Sequence, residues 1–453
     1  MSAEVIVVGG GFTGVIAAAA LSKAGAKVKV FEAATRTDPR FRGELIHPRG
    51  VRGLDQLGLK SVLFERGGVP VLGFAVTPQA NVTAAVLPYA PEQGPGLGID
   101  HHQMVLVMRE QISHRRNVSV TTGARIADFV REGGRIVGVK TEQGDTHRAD
   151  LVVVADGRQS KLRALLGMEP ETTLLSYTVA FGIEGDLPYG PMGHVFLGAA
   201  GPILAYPYGA GRIRFCVDVP LTAAKGKQAM VELLIKDYAP VVPDSLRDAM
   251  IKSLREIPFE GVANHNITTQ TCAAPGVALV GDAGGCNHPL TASGMTNAMN
   301  DVLTLGELVG RSGPTDSALH EYQRLRYDFV RMRDLFTDAL YEVFRGQDAG
   351  SRALQEGVFR YWASSGRSRE VSMNILSGEE VRISKFVTEY SRVFRTSAVD
   401  VFARLVKDPR RGTRTLGSLV KTSFGRIEVA AERAAKRWVD RHRMELHELP
   451  EQL

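Results

Sequence analysis

The apolar positions change their period along the chain, and the changes mark its elements. Glu4 to Val8 is a short β-branched run, followed by a small-residue helix pattern from Val15 to Lys23 and a second strand-like run from Lys27 to Phe31. Alternating runs recur at Val118 to Thr121 and Arg135 to Thr141, and an apolar run at Leu151 to Ala155. Residues 76–110 are strand-like and turn-rich. Residues 170–270 hold many short β-type runs and one helix around Ala229 to Tyr238. A last apolar run, Val277 to Val280, stops at Gly281-Asp282 and leads through a turn to a helix pattern from Thr296 to Val309. Beyond it the pattern is helical: Asp316 to Phe344, Ser351 to Ala363, Glu379 to Phe394 and Glu428 to Leu446. Within the third of these, Phe386, Tyr390, Val393 and Phe394 recur at three and four spacing.

Composition narrows the class. A chain of 453 residues, 44% hydrophobic and 23% charged, is an ordinary globular protein with room for two or three domains. No stretch approaches the ~18 to 20 apolar residues of a membrane span. Gly9 follows so soon after Met1 that a signal peptide is not expected. Cys216, Cys272 and Cys286 suggest no disulfide framework and lack metal-ligand spacing, so a reducing cytoplasm is the expectation. Cys286 reads as a small apolar side chain. The net charge of +6 lies in residues 346–453, with 20 Lys and Arg against 14 Asp and Glu. Trp and Tyr are not interleaved with these charges, so nucleic-acid binding is not expected; solvated helix faces are the simpler reading.

The candidate chemistry starts at the first turn. Gly9, Gly11 and Gly14 have G-x-G-x-x-G spacing between strand and helix, and Glu32 ends the second strand. Glycines there permit a tight turn and close approach of backbone to a pyrophosphate, and the acid accepts from ribose hydroxyls. Asp156-Gly157 follows the run at Leu151 and alone reads equally as a plain turn. Gly281-Asp282 gives a carboxylate able to accept from a polyol chain. The helix after Pro289, opening at Gly294-Met295, offers bare N–H groups. A flavin dinucleotide has parts for both. The fold class is therefore α/β: a discontinuous Rossmann-type FAD-binding domain (1–75, 105–168 and 271–310), an inserted β-sheet substrate domain (76–104 and 169–270) and a C-terminal helical region (311–453).

The three motifs in this order resemble the single-component flavoprotein monooxygenases, and closer segments resemble their squalene epoxidase branch. Arg40-Phe41-Arg42-Gly43-Glu44-Leu45-Ile46-His47-Pro48-Arg49-Gly50 is similar to that family's R-x-x-G-E-L-x-Q-P-G-G. His101-His102 through Arg109 is similar to H-H-G-R-F-x-x-x-x-R, and Ala339 to Phe344 to A-L-Y-E-L-F. Gly201 to Tyr206, Arg214 to Pro220, Phe359 to Tyr361 and Leu376 to Gly378 also echo the family. The most specific piece is His288-Pro289-Leu290-Thr291 with Gly294-Met295-Thr296, against H-P-L-T-G-G-G-M-T. The resemblance covers residues 4–380. His47, Arg49 and Ser293 depart from it, as do Gly284 to Asn287.

The resemblance implies an FAD-dependent monooxygenase using NAD(P)H and O₂, with a flavin C4a-hydroperoxide as oxygen donor. Glu32, Arg40, Arg109, Asp282 and Met295 fall on family FAD positions, and with Gly9, Gly11, Gly14, Asp156, Pro289 and Gly294 they form the expected cofactor set. Tyr89 falls on an active-site tyrosine; read alone, it is a core tyrosine at a strand end. His101 and His102, taken as neighbours on a strand, would face opposite ways and chelate one metal poorly. His288 reads as a turn residue. The polar departures imply a lipophilic alkene-bearing, prenylated or aromatic natural product rather than squalene. In this family the C-terminal helices attach to membrane. Here Arg392, Arg395, Arg404, Arg410, Arg411 and Arg414 interrupt them, so peripheral contact without insertion is expected. A reductase of isoprenoid double bonds, a true squalene epoxidase and a non-catalytic FAD-bearing protein are the alternatives. Halogenation is disfavoured because Trp362 and Trp438 are isolated, without W-x-W-x-I.

Overall fold

The computed structural model describes residues 2–37, 41–80, 82–223, 226–256, 259–407 and 413–422. The chain forms two compact units. The first comprises Met1–Thr337 and Arg369–Arg382, and the second Asp338–Ser368 and Ile383–Leu453.

The first unit is organised by a six-stranded sheet in the order 273–274, 277–279, 151–154, 4–8, 27–32, 118–122. All pairs are parallel except the edge strand Ala273–Ala274. Leu151–Val154 is buried at every position, as a central parallel strand covered on both faces must be. Helix Phe12–Lys23 covers this sheet with an almost wholly buried surface of small residues. Helix Gly294–Ser312 packs on it so closely that a Cβ at Gly306 would lie 3.1 Å from the Ala20 Cβ. Because the strands are parallel, their C-terminal ends open on one edge, where a doubly wound sheet binds ligands.

A second sheet of eight strands runs 285–286, 260–268, 171–184, 212–219, 203–209, 193–196, 73–77, 85–88. Its core stacks Phe181 on Phe215 at 5.4 Å and takes Leu246, Met250 and Leu254 from helix Asp244–Glu256. That helix lies where the sequence suggested only strands; its buried positions keep helical spacing. The expected helix at Ala229–Tyr238 is present as Lys227–Leu233, continued by a π-turn at Leu234–Tyr238.

Histidines 101 and 102 begin a helix, His101–Ser113, rather than sit on a strand. Asp100 ends the preceding extended segment by capping the Gln103 N–H at 3.1 Å. The helix expected from Glu379 begins only at Ile383. Gly378, at φ +78°, ends a separate helix, Gly366–Ser377, and turns the chain.

In the second unit, Asp348 and Ser351 form a capping box for helix Ala349–Ser364. Gly357 lets that helix meet helix Ile383–Lys407, since a Cβ there would fall 1.9 Å from the Ser397 Oγ. The Tyr361 hydroxyl donates to Glu389, which also pairs with Arg392 at 2.9 Å. The expected helix at Glu428 to Leu446, Trp438, Arg410 and Arg411 lie outside the described residues. Among the described residues no helix is long and apolar enough to cross a membrane.

Candidate active site

A cavity of about 980 Å³ opens along the C-terminal edge of the parallel sheet. Gly9, Gly11, Glu32, Arg109, Asp156, Asp282, Pro289, Gly294 and Met295 all line it, brought together from segments hundreds of residues apart. The backbone shapes one end. Gly9 has φ +104°, and a Cβ there would meet the Ala155 carbonyl at 2.4 Å. A Cβ at Gly14 would meet the Gly9 carbonyl at 1.8 Å, so Gly14 shapes the turn without lining the cavity. At Gly11 a Cβ would project into open space. Glu32 accepts from the Gly10 N–H at 2.6 Å and the Ala34 N–H at 2.8 Å, and Arg109 lies 3.4 Å from its carboxylate. Arg109 Nε also donates to the Gly10 carbonyl at 2.5 Å.

Along the cavity, burial raises the pKa of Asp156, against hydrogen bonds from Ser160 and Leu162. Arg163 braces this segment, donating to the Ala283 carbonyl at 2.8 Å and the Arg158 carbonyl at 3.0 Å. Gly281, at φ +58°, turns the chain beneath Thr13. Its N–H donates to Asp301 at 2.9 Å, and Asp301 is paired with Arg326 at 3.0 Å. The turn therefore hangs from a buried ion pair. The Asp282 carboxylate has no hydrogen-bond partner among the described residues, and burial raises its pKa. A carboxylate so placed is built to accept from something in the cavity. Cys286 also lines the wall; burial pushes its thiol up to about 12, so it is no nucleophile at neutral pH.

Helix Gly294–Ser312 begins at the cavity, and no side chain caps it. The turn before it places Ala292 at φ +48°, the one left-handed non-glycine among the described residues. His288 shapes that turn: its Nδ1 accepts from the Leu290 N–H at 3.2 Å, so its proton sits on Nε2. Nε2 faces Asp218 at 3.1 Å and the Ser176 hydroxyl at 2.9 Å. Asn264 completes this buried polar group through Ser176 and Thr178, each at 2.9 Å. Sequence reasoning placed His288 in the turn and missed its buried polar partners.

Tyr89 stands apart. It does not line the cavity, is buried, and its hydroxyl lies 2.7 Å from His47 Nδ1. His47 Nε2 is 2.8 Å from the Thr291 carbonyl, so Nε2 donates and Nδ1 accepts from the tyrosine. Burial, then the charge of Arg333, lowers His47 to about 4 and keeps it neutral. His47 and Arg49 were expected to meet substrate, but neither lines the cavity. Arg49 donates to the Gly378 carbonyl and to Asn300, each at 2.8 Å. Ser293 does line it. His101 and His102 face Gly43 and Thr37 respectively, each at 2.8 Å. Arg40 lies outside the described residues.

Residues 148–407 match the family model for squalene epoxidase, and residues 7–58 a model for NAD(P)-binding Rossmann-like domains. The chain belongs to the squalene epoxidase family. It is 32% identical to a squalene epoxidase of Aspergillus fumigatus over 386 residues, covering 80% of this chain and 79% of that one. Squalene epoxidase 2 of Arabidopsis thaliana is 31% identical, over 86% of this chain and 69% of its own. Among solved structures, Klebsiella pneumoniae HpxO, complexed with FAD and uric acid, aligns with TM-score 0.71 and 25% identity, over 83% of this chain and 97% of that one. PqsL of Pseudomonas aeruginosa, described as a probable FAD-dependent monooxygenase, shares the fold at TM-score 0.67 and 23% identity, over 78% of this chain and all of its own. The squalene epoxidase family membership makes this protein an FAD-dependent monooxygenase with NAD(P)H as co-substrate.

Proposed function

We propose that this enzyme uses NAD(P)H and O₂ to epoxidise or hydroxylate a lipophilic natural product, alkene-bearing, prenylated or aromatic. The observation that carries the reading is the unpartnered Asp282 carboxylate, set in one cavity with the glycine turn and the uncapped helix. These features fit FAD. Gly11 leaves room for a pyrophosphate beside the helix Phe12–Lys23, while Gly9 lets the turn fit against the Ala155 carbonyl. Glu32 and Arg109 would hold the ribose end, and Asp282 would accept from the ribityl hydroxyls. The N–H groups at Gly294 and Met295 would stabilise negative charge on the isoalloxazine ring. Asp156 and Pro289 complete the cofactor set, with Arg40 assigned on the resemblance alone.

Bound flavin supplies hydride acceptance from NAD(P)H and activation of O₂. The chain's own residues orient the substrate and exclude water. Tyr89 acts indirectly: held as a donor to His47, it fixes through Thr291 the turn that presents helix Gly294–Ser312. Its role is positioning rather than contact with the reacting atoms. Cytoplasmic location with peripheral membrane contact is part of this reading. Purified protein should be yellow, and ¹⁸O₂ with NADPH should place one labelled atom in the product of a prenylated substrate. A colourless protein indifferent to added FAD would sink the cofactor reading. An unlabelled, saturated product would favour the reductase.

A further inference from the structure

Arg333 is a buried cation in the cavity wall with no carboxylate within ion-pair distance among the described residues. It is 1% exposed and lines the cavity from helix Asp316–Arg345. Its two terminal nitrogens donate to the carbonyls of Ile375 at 2.5 Å and Leu376 at 3.1 Å, at the C-terminus of helix Gly366–Ser377. Its Nε–H is buried with no partner. The nearby charges do not compensate for this, since burial, then Arg49, lower its pKa to about 10 and only Asp334 opposes them. Arg333 therefore remains a cation at neutral pH. Asn297, in the first turn of helix Gly294–Ser312, lines the same cavity, and its carbonyl oxygen is also buried and unpartnered. A cavity serving a pure hydrocarbon has no use for either group, because each is destabilising while buried and unpaired.

We propose that Arg333 and Asn297 recognise a polar head on an otherwise apolar substrate: an acceptor oxygen for the guanidinium Nε–H, beside an N–H or O–H donor for the amide carbonyl. Amide, lactam and hydroxy-carbonyl groups have this pair of functions; squalene has neither. The proposal rests on the monooxygenase reading for the identity of the cavity and sharpens its substrate class. A cap on helix Gly366–Ser377 explains the terminal nitrogens of Arg333 but leaves its Nε and Asn297 unexplained.

The test is isothermal titration of the purified, flavin-loaded protein with three C15 isoprenoid probes: a primary amide, the methyl ester and the parent hydrocarbon. The amide should bind at least about tenfold tighter than the hydrocarbon, as one or two otherwise unpaired buried groups would give, with the ester between. Arg333→Met should abolish that preference while leaving hydrocarbon binding and flavin content unchanged. Asn297→Leu should bring the amide down to the ester. Should Arg333→Met not fold, Arg333→Lys keeps the charge, lacks the Nε–H, and should still lose most of the preference. Equal binding of all three probes by the unmodified protein overturns the proposal, as does an amide preference that survives in a folded Arg333 variant. Loss of flavin from a folded Arg333→Met would assign the guanidinium to the cofactor and also overturn it. A protein that carries no flavin would defeat the monooxygenase reading, yet the three-probe comparison would still read the head-group site.

Discussion

Arg326 and Arg333 lie two turns apart on one helix, are both buried, and both line the cavity, yet their surroundings differ. Arg326 faces Asp301 at 3.0 Å. Burial opposes its charge, but the Asp301 carboxylate, with Cys272 and Tyr322 beside it, holds the pKa above the ordinary arginine value. Arg333 donates to helix carbonyls, lies over the Phe336 ring and has Arg49 as a cationic neighbour that Asp334 only partly offsets, and its pKa falls to about 10. The first arginine is part of the scaffold, since its partner also anchors the Gly281 N–H beneath Asp282. The second retains an unused donor. Within one helix, compensation of charge separates a residue that holds the site together from one that waits for a ligand.

The largest effect should come from making the first arginine resemble the second. Asp301→Ala leaves Arg326 buried without a carboxylate and frees the Gly281 N–H. Breaking one side of a buried pair costs about 3–5 kcal/mol, so urea unfolding should show a loss in that range. A loss below about 1 kcal/mol would mean the two arginines are alike after all. On the proposed reading, Asp282→Ala affects the cofactor instead of the scaffold. It should weaken FAD binding by about 1.5–3 kcal/mol, a charged hydrogen-bond acceptor's contribution, with little change in apoprotein stability. Flavin retention on gel filtration and apoprotein melting would separate the two effects. Unchanged flavin affinity would remove Asp282 from the site.

Residue spacing explains which parts were legible in the sequence. The glycine turn was readable because backbone geometry restricts it to few residue types: Gly9 and Gly14 abut carbonyls that exclude any Cβ. The parallel strands were readable from short apolar runs such as Leu151–Val154. The helix at Asp244–Glu256 was missed inside a region dense with strand-like runs. Arg326 and Arg333 were hidden by their own chemistry, since charged residues are normally assigned to solvent. Yet Tyr322, Arg326, Phe329 and Arg333 follow the three-and-four spacing of one buried face. Asp301 likewise falls among Ala298, Val302 and Leu305 on the buried face of its helix. A charge in register with apolar neighbours was the available signal. His47 and Arg49 mislead for the opposite reason: as departures from a motif they suggest contact with the ligand, but both side chains turn to protein partners.

The uncompensated field of Arg333 should also show in acid. His47 is lowered from 6.5 to about 4 by burial first and by Arg333 next; His194, also buried, is lowered to about 4 by burial. A histidine whose folded pKa is depressed contributes stability above its unfolded pKa. That contribution is lost as pH falls from about 6.5 towards 4, because only the unfolded chain then gains the proton. Each should cost about 1.4 kcal/mol per pH unit in that window. Unfolding free energies between pH 7.5 and 4.5 would reveal the slope. Arg333→Met should raise the His47 pKa and make the slope shallower, whereas a wild-type profile flat from pH 7 to 5 would refute the assignment.

The smallest effect, on stability, should come from Arg333→Met itself. The substitution removes the donors to the Ile375 and Leu376 carbonyls, a loss of about 1.5–3 kcal/mol for each hydrogen bond made by a charged group. It also removes the desolvation of a cation without a carboxylate, an effective penalty of several kcal/mol after relaxation, and relieves repulsion from Arg49. Methionine is flexible and apolar, and it can follow the same path beside Phe336. The two sides nearly cancel, so the net change should lie within about 1 kcal/mol of zero by urea unfolding. That is well under the cost of Asp301→Ala, though both changes concern a buried arginine. Near-neutrality in stability together with a large change in ligand preference is the pattern of a residue retained for binding. A loss of 3 kcal/mol or more would instead make Arg333 a structural cap, and the contrast between the two arginines would reduce to a difference in the acceptors that hold them.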